Sequence, residues 1–217
     1  RGMSALEIEA RLVQWQQQRT QLIKQLNDWI DVPAFRGHQG WVGALDRRRA
    51  ANQLLECWRA TLREAPAAEG AATDAVLDFA GLVIGDLPAL PVSFEHVGAL
   101  DLSGVGLTEN SDGFLRAFPK LRSLTLNHNR LGALPDAVGQ CEHLIRLSAS
   151  YNDLGASDEW QRQVRSLRHL QSLDLSVNRL VSLDVTGLEQ LQALDVSGNL
   201  LWDWPQGVLQ APALATL

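Results

Sequence analysis

Cysteine is nearly absent from this chain. Cys57 and Cys141 are two thiols in 217 residues, too few for a disulfide framework, and a reducing compartment suits such a sequence. A basic excess is missing as well. The net charge is −6 and the pI near 5.3, which argues against a nucleic-acid or anionic-membrane surface. No apolar run is long enough to span a membrane, and no stretch reads as a secretory signal. The histidines His38, His96, His128, His143 and His169 lack the spacing of a metal site, so no zinc is expected. No glycine-rich phosphate loop occurs, and neither a cofactor nor a small-molecule substrate is expected. What remains is an apolar fraction of 46%, enough to build a buried core.

Much of that fraction is regularly spaced leucine. Leu121, Leu124, Leu126, Leu131 and Leu134 surround Asn129 in the pattern L-x-x-L-x-L-x-x-N-x-L, the spelling of a leucine-rich repeat. Comparable starts fall at Leu77, Val97, Leu121, Leu144, Leu170, Leu191 and Leu214, in steps of 20, 24, 23, 26, 21 and 23 residues. Leu124 and Leu126 alternate with Ser123, Thr125 and Asn127, so the leucines share one face of a short strand. Asn129 turns the chain, and its amide can bond backbone groups that a tight coil leaves unpaired. After Pro135, Asp136–Glu142 is expected to return as a short helix. One repeat cannot bury its leucines alone, so neighbours must stack. The asparagine column continues at Asn152, Asn178 and Asn199; the first repeat puts Gly85 there and the second Val105. Ser157 is expected to cap a helix over Asp158–Arg168 on the convex side.

Ahead of the repeats, Ser4-Ala5-Leu6-Glu7 has capping-box spacing. Ile8, Leu12, Trp15, Leu22, Leu26 and Trp29 follow as a helical stripe that Pro33 ends. Asp46 is expected to cap a second helix with Ala51, Leu54, Leu55, Trp58 and Leu62 on its apolar face. Residues 1–66 thus read as a helical hairpin capping the solenoid, 67–76 as a linker, and 77–217 as about six full repeats, cut in the next. Arg1-Gly2-Met3 does not read as a natural start, and the last repeat stops in mid-strand, so a longer protein is expected. The fold expected is α/β: a right-handed leucine-rich-repeat solenoid with a parallel concave sheet and an N-terminal α-helical hairpin.

The hairpin segment RRRAANQLLECWRATL (Arg47–Leu62), then LDFAGLVIGDLPALP (Leu77–Pro91), SFEHVGALDLSGVGL and GFLRAFPKLRSLTLNHNRL, resembles the leucine-rich-repeat region of large Gram-negative effectors of the NEL ("novel ligase") class of bacterial ubiquitin ligases. The resemblance implies a type III secretion effector active in virulence. Such a protein is expected either in the cytoplasm or carried by a type III-like route into the host cytoplasm, and its repeats bind a substrate and restrain the ligase. It also implies a catalytic cysteine in a Cys-x-Asp motif on a separate helical domain. Cys57 is followed by Trp58-Arg59 and Cys141 by Glu142-His143, so no catalytic residue is expected here and the ligase would lie beyond Leu217. The alternative is a stand-alone interaction scaffold without an enzymatic tail.

The concave strand face is the candidate binding site. Its central column reads Gly81, Asp101, Thr125, Ser148, Asp174, Asp195, and the next reads Val83, Ser103, Asn127, Ser150, Ser176, Ser197. Arg146 is the one basic residue among them, with His128 and Tyr151 at the strand exits. Small polar and acidic groups on a curved sheet suit a host or cellular protein carrying a basic patch; the protein's own C-terminal domain is the second expected partner. Trp202, where other repeats have Gly132 and Val181, is either exposed at a docking edge or buried near Pro205. Arg47-Arg48-Arg49 reads as a solvated helix face paired with nearby acids. Both cysteines read as packed toward the core.

Overall fold

The computed structural model describes residues 4–32, 43–60, 75–108, 110–155 and 157–216. Two helices lead, α1 (Ala5–Asp31) and α2 (Ala44–Ala60). Among the described residues six strands follow: β1 (Ala75–Asp78), β2 (Val97–Asp101), β3 (Ser123–Thr125), β4 (Arg146–Ser148), β5 (Ser172–Asp174) and β6 (Ala193–Asp195). They form one parallel sheet in chain order. The return paths carry α3 (Asp112–Leu115), a 3-10 turn over Asp136–Gln140 and α4 (Asp158–Ser166), and these stack on one another behind the sheet. The fold is an α/β leucine-rich-repeat solenoid.

One leucine row organises the core. Leu77, Leu100, Leu124, Leu147, Leu173 and Leu194 lie opposite one another through the sheet and all are buried. The first repeat therefore differs from its expected alignment. Leu77 pairs with Leu100 and not with Val97, so the first step is 23 residues and not 20. Leu82 takes the asparagine position expected for Gly85. Closely spaced leucines fit either register on paper, and strand pairing selects one. β1 also begins inside the stretch expected as linker, whose residues 67–74 lie outside the described residues.

The asparagines form the expected ladder. Asn152 accepts at Oδ1 from the N–H groups of Asn129 (3.1 Å) and Leu131 (2.9 Å), and donates from Nδ2 to the carbonyls of Leu126, Ala149 and Ser150. Asn129 and Asn178 repeat the arrangement and are buried. Asn199 makes the same bonds but is only half-buried. In the second coil Val105 has no amide to offer. Its carbonyl instead accepts from the N–H groups of Ile84 and Gly85.

Behind the early strands the core changes character. Phe79, Phe94, Phe114 and Phe118 are fully buried, with Phe94–Phe118 centroids 5.1 Å apart and Phe114–Phe118 centroids 5.0 Å apart. These large rings fill the irregular returns of the first coils, where the leucine pattern is weakest.

α1 begins with its capping box, Ser4 Oγ accepting from Glu7 N–H and Glu7 Oε2 accepting from Ser4 N–H. Its stripe packs only from Trp15 onward, where Trp15 stacks on Trp58 at 5.2 Å. Leu22, Leu26, Trp29, Leu54 and Trp58 are buried, but Ile8 and Leu12 are exposed. Among the described residues α2 ends at Ala60, just past Trp58, so nothing described there covers the first turns of α1. Leu62 lies outside the described residues.

Asp46 and Arg47 help fasten the hairpin to the solenoid, and both differ from expectation. Asp46 lies inside α2 rather than capping it, and its Oδ2 accepts from Val83 N–H at 3.1 Å. Arg47 is buried rather than solvated. It donates to the carbonyls of Ile84 (3.0 Å), Trp29 (2.7 Å) and Val32 (2.7 Å). The last two are unpaired carbonyls at the end of α1, where the helix dipole favours a cation. Burial lowers the Arg47 pKa, and Asp86 opposes that shift.

Candidate protein-binding face

Strand pairing sets the concave columns residue by residue. The central column is Asp78, Asp101, Thr125, Ser148, Asp174, Asp195. Asp78 stands where the sequence reading had Gly81, and by the same register Ala80 replaces Val83 in the next column. The correction follows from the first-coil register. It turns one acidic doublet into two: Asp78 faces Asp101, and Asp174 faces Asp195. Adjacent strands stand about 4.7–4.9 Å apart, so each doublet places two like charges side by side, with the neutral Thr125 and Ser148 between the doublets.

These carboxylates also shape the backbone. Asp101 Oδ1 accepts from the N–H and hydroxyl of Ser103 (2.8 and 2.6 Å), and Asp174 Oδ1 accepts from those of Ser176 (3.0 and 2.7 Å). Asp195 accepts from Ser197 N–H and Asp78 from Ala80 N–H, both at 2.9 Å. Each aspartate closes a turn where its strand ends, a local bond that Asp favours. Asn127 Oδ1 accepts from Ser150 N–H, and Ser148 Oγ lies 2.8 Å from that oxygen and 2.9 Å from Asp174 Oδ2. Ser150 is buried, so it supports the face rather than presenting to it. Arg146 is exposed at the start of β4, paired in register with Ser123 and Ser172.

Beyond the strand ends, His128 and Tyr151 stack with centroids 4.3 Å apart and planes 19° apart. Both have positive φ, 58° and 53°, as does Val177 at 53°. The same position in the other coils holds Gly81, Gly104 and Gly198. Three side chains with a Cβ thus occupy a left-handed conformation that favours glycine. Composition and periodicity do not register this; aligned coils do, because glycine holds the position in three coils and His, Tyr and Val hold it in the three consecutive coils between them.

Trp202 is 88% exposed. Trp204 is 68% exposed although it occupies the position of buried Leu134. No described coil packs on its outer side. Both tryptophans border an open depression of about 840 Å³ that also takes in Asp174, Asp195 and Asp203.

The cysteines differ from each other. Cys141 is buried, and burial pushes its thiol up to about 11. Cys57 is half-buried, with Sγ 3.3 Å from His96 Nε2, and that nitrogen is 3.1 Å from the Cys57 carbonyl. Sequence offers no cue to this pair, which lies 39 residues apart. Neither cysteine forms a disulfide among the described residues.

Residues 120–141 match the model of the leucine-rich-repeat family. The chain is 31% identical over 126 residues to the CD180 antigen of Mus musculus, covering 56% of this chain and 19% of that protein. It is 27% identical over 169 residues to the human leucine-rich repeats and immunoglobulin-like domains protein 1, covering 72% and 15%. The chain therefore spans less than one fifth of either relative's length. An internalin C2 structure from Listeria monocytogenes aligns with TM-score 0.45 and 16% identity, covering 57% of this chain and 50% of that one. A leucine-rich-repeat protein of Leptospira interrogans aligns with TM-score 0.42 and 22% identity, covering 64% and 46%.

Proposed function

We propose that this chain is a protein-recognition module whose concave sheet holds a partner with a basic patch. The observation that carries this reading is the corrected central column, with two acidic doublets and no lysine or arginine. Like charges so placed repel one another. Water tolerates that repulsion in the free protein, and a basic partner relieves it. The net charge of −6 adds attraction at longer range.

The test begins with affinity capture of the partner from the relevant cells. Its association with the wild type is then compared with the Asp174→Ala, Asp195→Ala double variant across a salt series. The double variant should associate more weakly, mainly through a slower on-rate, and its salt dependence should be flatter. Unchanged affinity and slope would remove the concave face from the reading.

The finer reading we favour is the substrate-binding and restraining region of an effector ubiquitin ligase, delivered into a host cytoplasm by a type III-like route. Its support is the resemblance carried by the hairpin and the early repeats. Cys141 is buried and neutral, and neither thiol is followed by the Asp of the Cys-x-Asp motif. Any ligase chemistry would then belong to a separate domain. The reading frame after residue 217 separates this from a stand-alone scaffold. A helical domain with Cys-x-Asp favours the ligase, and a stop after one capping repeat favours the scaffold.

A further inference from the structure

Six coils share one structural position just before the asparagine column. Its occupants are Gly81, Gly104, His128, Tyr151, Val177 and Gly198, with φ between 53° and 75°. Glycine meets this geometry without strain; residues with a Cβ do not, and a β-branched residue such as valine is the most strained of all. Yet three consecutive coils carry His, Tyr and Val.

Burial does not repay that strain. Tyr151 is 52% exposed, and His128 and Val177 are exposed as well. Strain that the core does not require marks a candidate functional position. The chemistry presented there is specific. His128 and Tyr151 form a flat stacked pair. Ser176 links that pair to the acidic column: its carbonyl accepts from Tyr151 N–H at 3.0 Å, and its own N–H and hydroxyl bond Asp174 Oδ1. Hydrogen bonds between neighbouring coils therefore join the coil that carries Tyr151 to the one that carries Asp174.

We propose that the strip His128–Tyr151–Val177 is where the protein partner seats an arginine side chain. This deepens the recognition reading above and rests on it. A guanidinium is planar, stacks on aromatic faces and bonds a carboxylate through a fork of donors. Asp174 Oδ2 accepts only from Ser148 among the described residues, so the carboxylate has capacity left. Val177 offers an apolar surface to the methylene stem. A lysine ammonium matches the charge but not the plane.

Tyr151 is the single tyrosine of the chain, so the full chain labelled with 3-fluorotyrosine gives one fluorine resonance. The probes are acetyl-Gly-Arg-Gly-amide and its lysine and norleucine counterparts, titrated into the millimolar range. The arginine probe should shift the line saturably, the lysine probe several-fold more weakly, and the norleucine probe not at all. Asp174→Asn should weaken the arginine response several-fold. His128→Gly should weaken it too while raising the denaturant midpoint, because glycine relieves the strained φ; a purely structural histidine would lower that midpoint. No shift with arginine, equal shifts with all three probes, or a lowered midpoint in His128→Gly overturns the proposal. If the proposal fails while the Asp174→Ala, Asp195→Ala variant still loses salt-dependent partner binding, the recognition reading stands without it.

Discussion

The Nη1 of Arg47 donates to the Trp29 carbonyl at 2.7 Å, while its guanidinium carbon lies 5.1 Å over the Trp29 ring. One side chain thus satisfies the end of α1, covers its last aromatic and reaches the first coil through the Ile84 carbonyl. The indole of Trp29 completes the joint by donating to the Asp86 carbonyl at 2.8 Å.

Removing that side chain should loosen cap and solenoid together. Arg47→Ala leaves carbonyls unpaired in a buried site, with an expected loss on the order of 2–4 kcal/mol. Arg47→Lys should recover less than half of it, because an ammonium cannot span three diverging carbonyls. Urea unfolding checks both variants. A midpoint within error of wild type for Arg47→Ala would show that the joint contributes nothing.

The asparagine ladder should be graded by burial. Asn152→Ala deletes five hydrogen bonds inside the sheet stack, with a cost on the order of 2–4 kcal/mol. Asn199 makes comparable bonds where water can replace them, so Asn199→Ala should cost roughly 1 kcal/mol. Equal losses, or the reverse order, would count against burial as the deciding term.

Cys141 should couple stability to alkaline pH. Burial raises its pKa from 9.0 to about 11, so the unfolded chain loses this proton at lower pH than the folded one. Stability from the neutral thiol is complete below pH 9 and declines as pH rises from 9 toward 11. The slope approaches about 1.4 kcal/mol per pH unit. Cys141→Ala should remove that slope, whatever it does to baseline stability. In the native wild type at neutral pH, iodoacetamide should label Cys57 before Cys141, as peptide mass spectrometry would show. Preferential labelling of Cys141 would contradict its burial.

The legible part of this chain was the part with a period. Leucines two residues apart must share a strand face, and their recurrence forces stacking, so the solenoid and the ladder at Asn129, Asn152, Asn178 and Asn199 follow from spacing. Ser4 and Glu7 announced the start of α1 because a capping box is local. The acidic doublet Asp174/Asp195 was legible for the same reason, through its shared repeat position.

Tertiary structure decided what no period encodes. Asp78 joined the acidic column only when β1 paired with β2, since the leucines of the first repeat permit two alignments. Arg47 reads like its neighbours Arg48 and Arg49, and only the carbonyls of Trp29, Val32 and Ile84 single it out. Cys57 meets His96 because a helix lies against a coil. Trp204 occupies a core position and is exposed because no described coil covers it. Spacing along a chain fixes which face a side chain takes; its partner is fixed by segments far away in sequence, and these come together only when the coils and the hairpin pack.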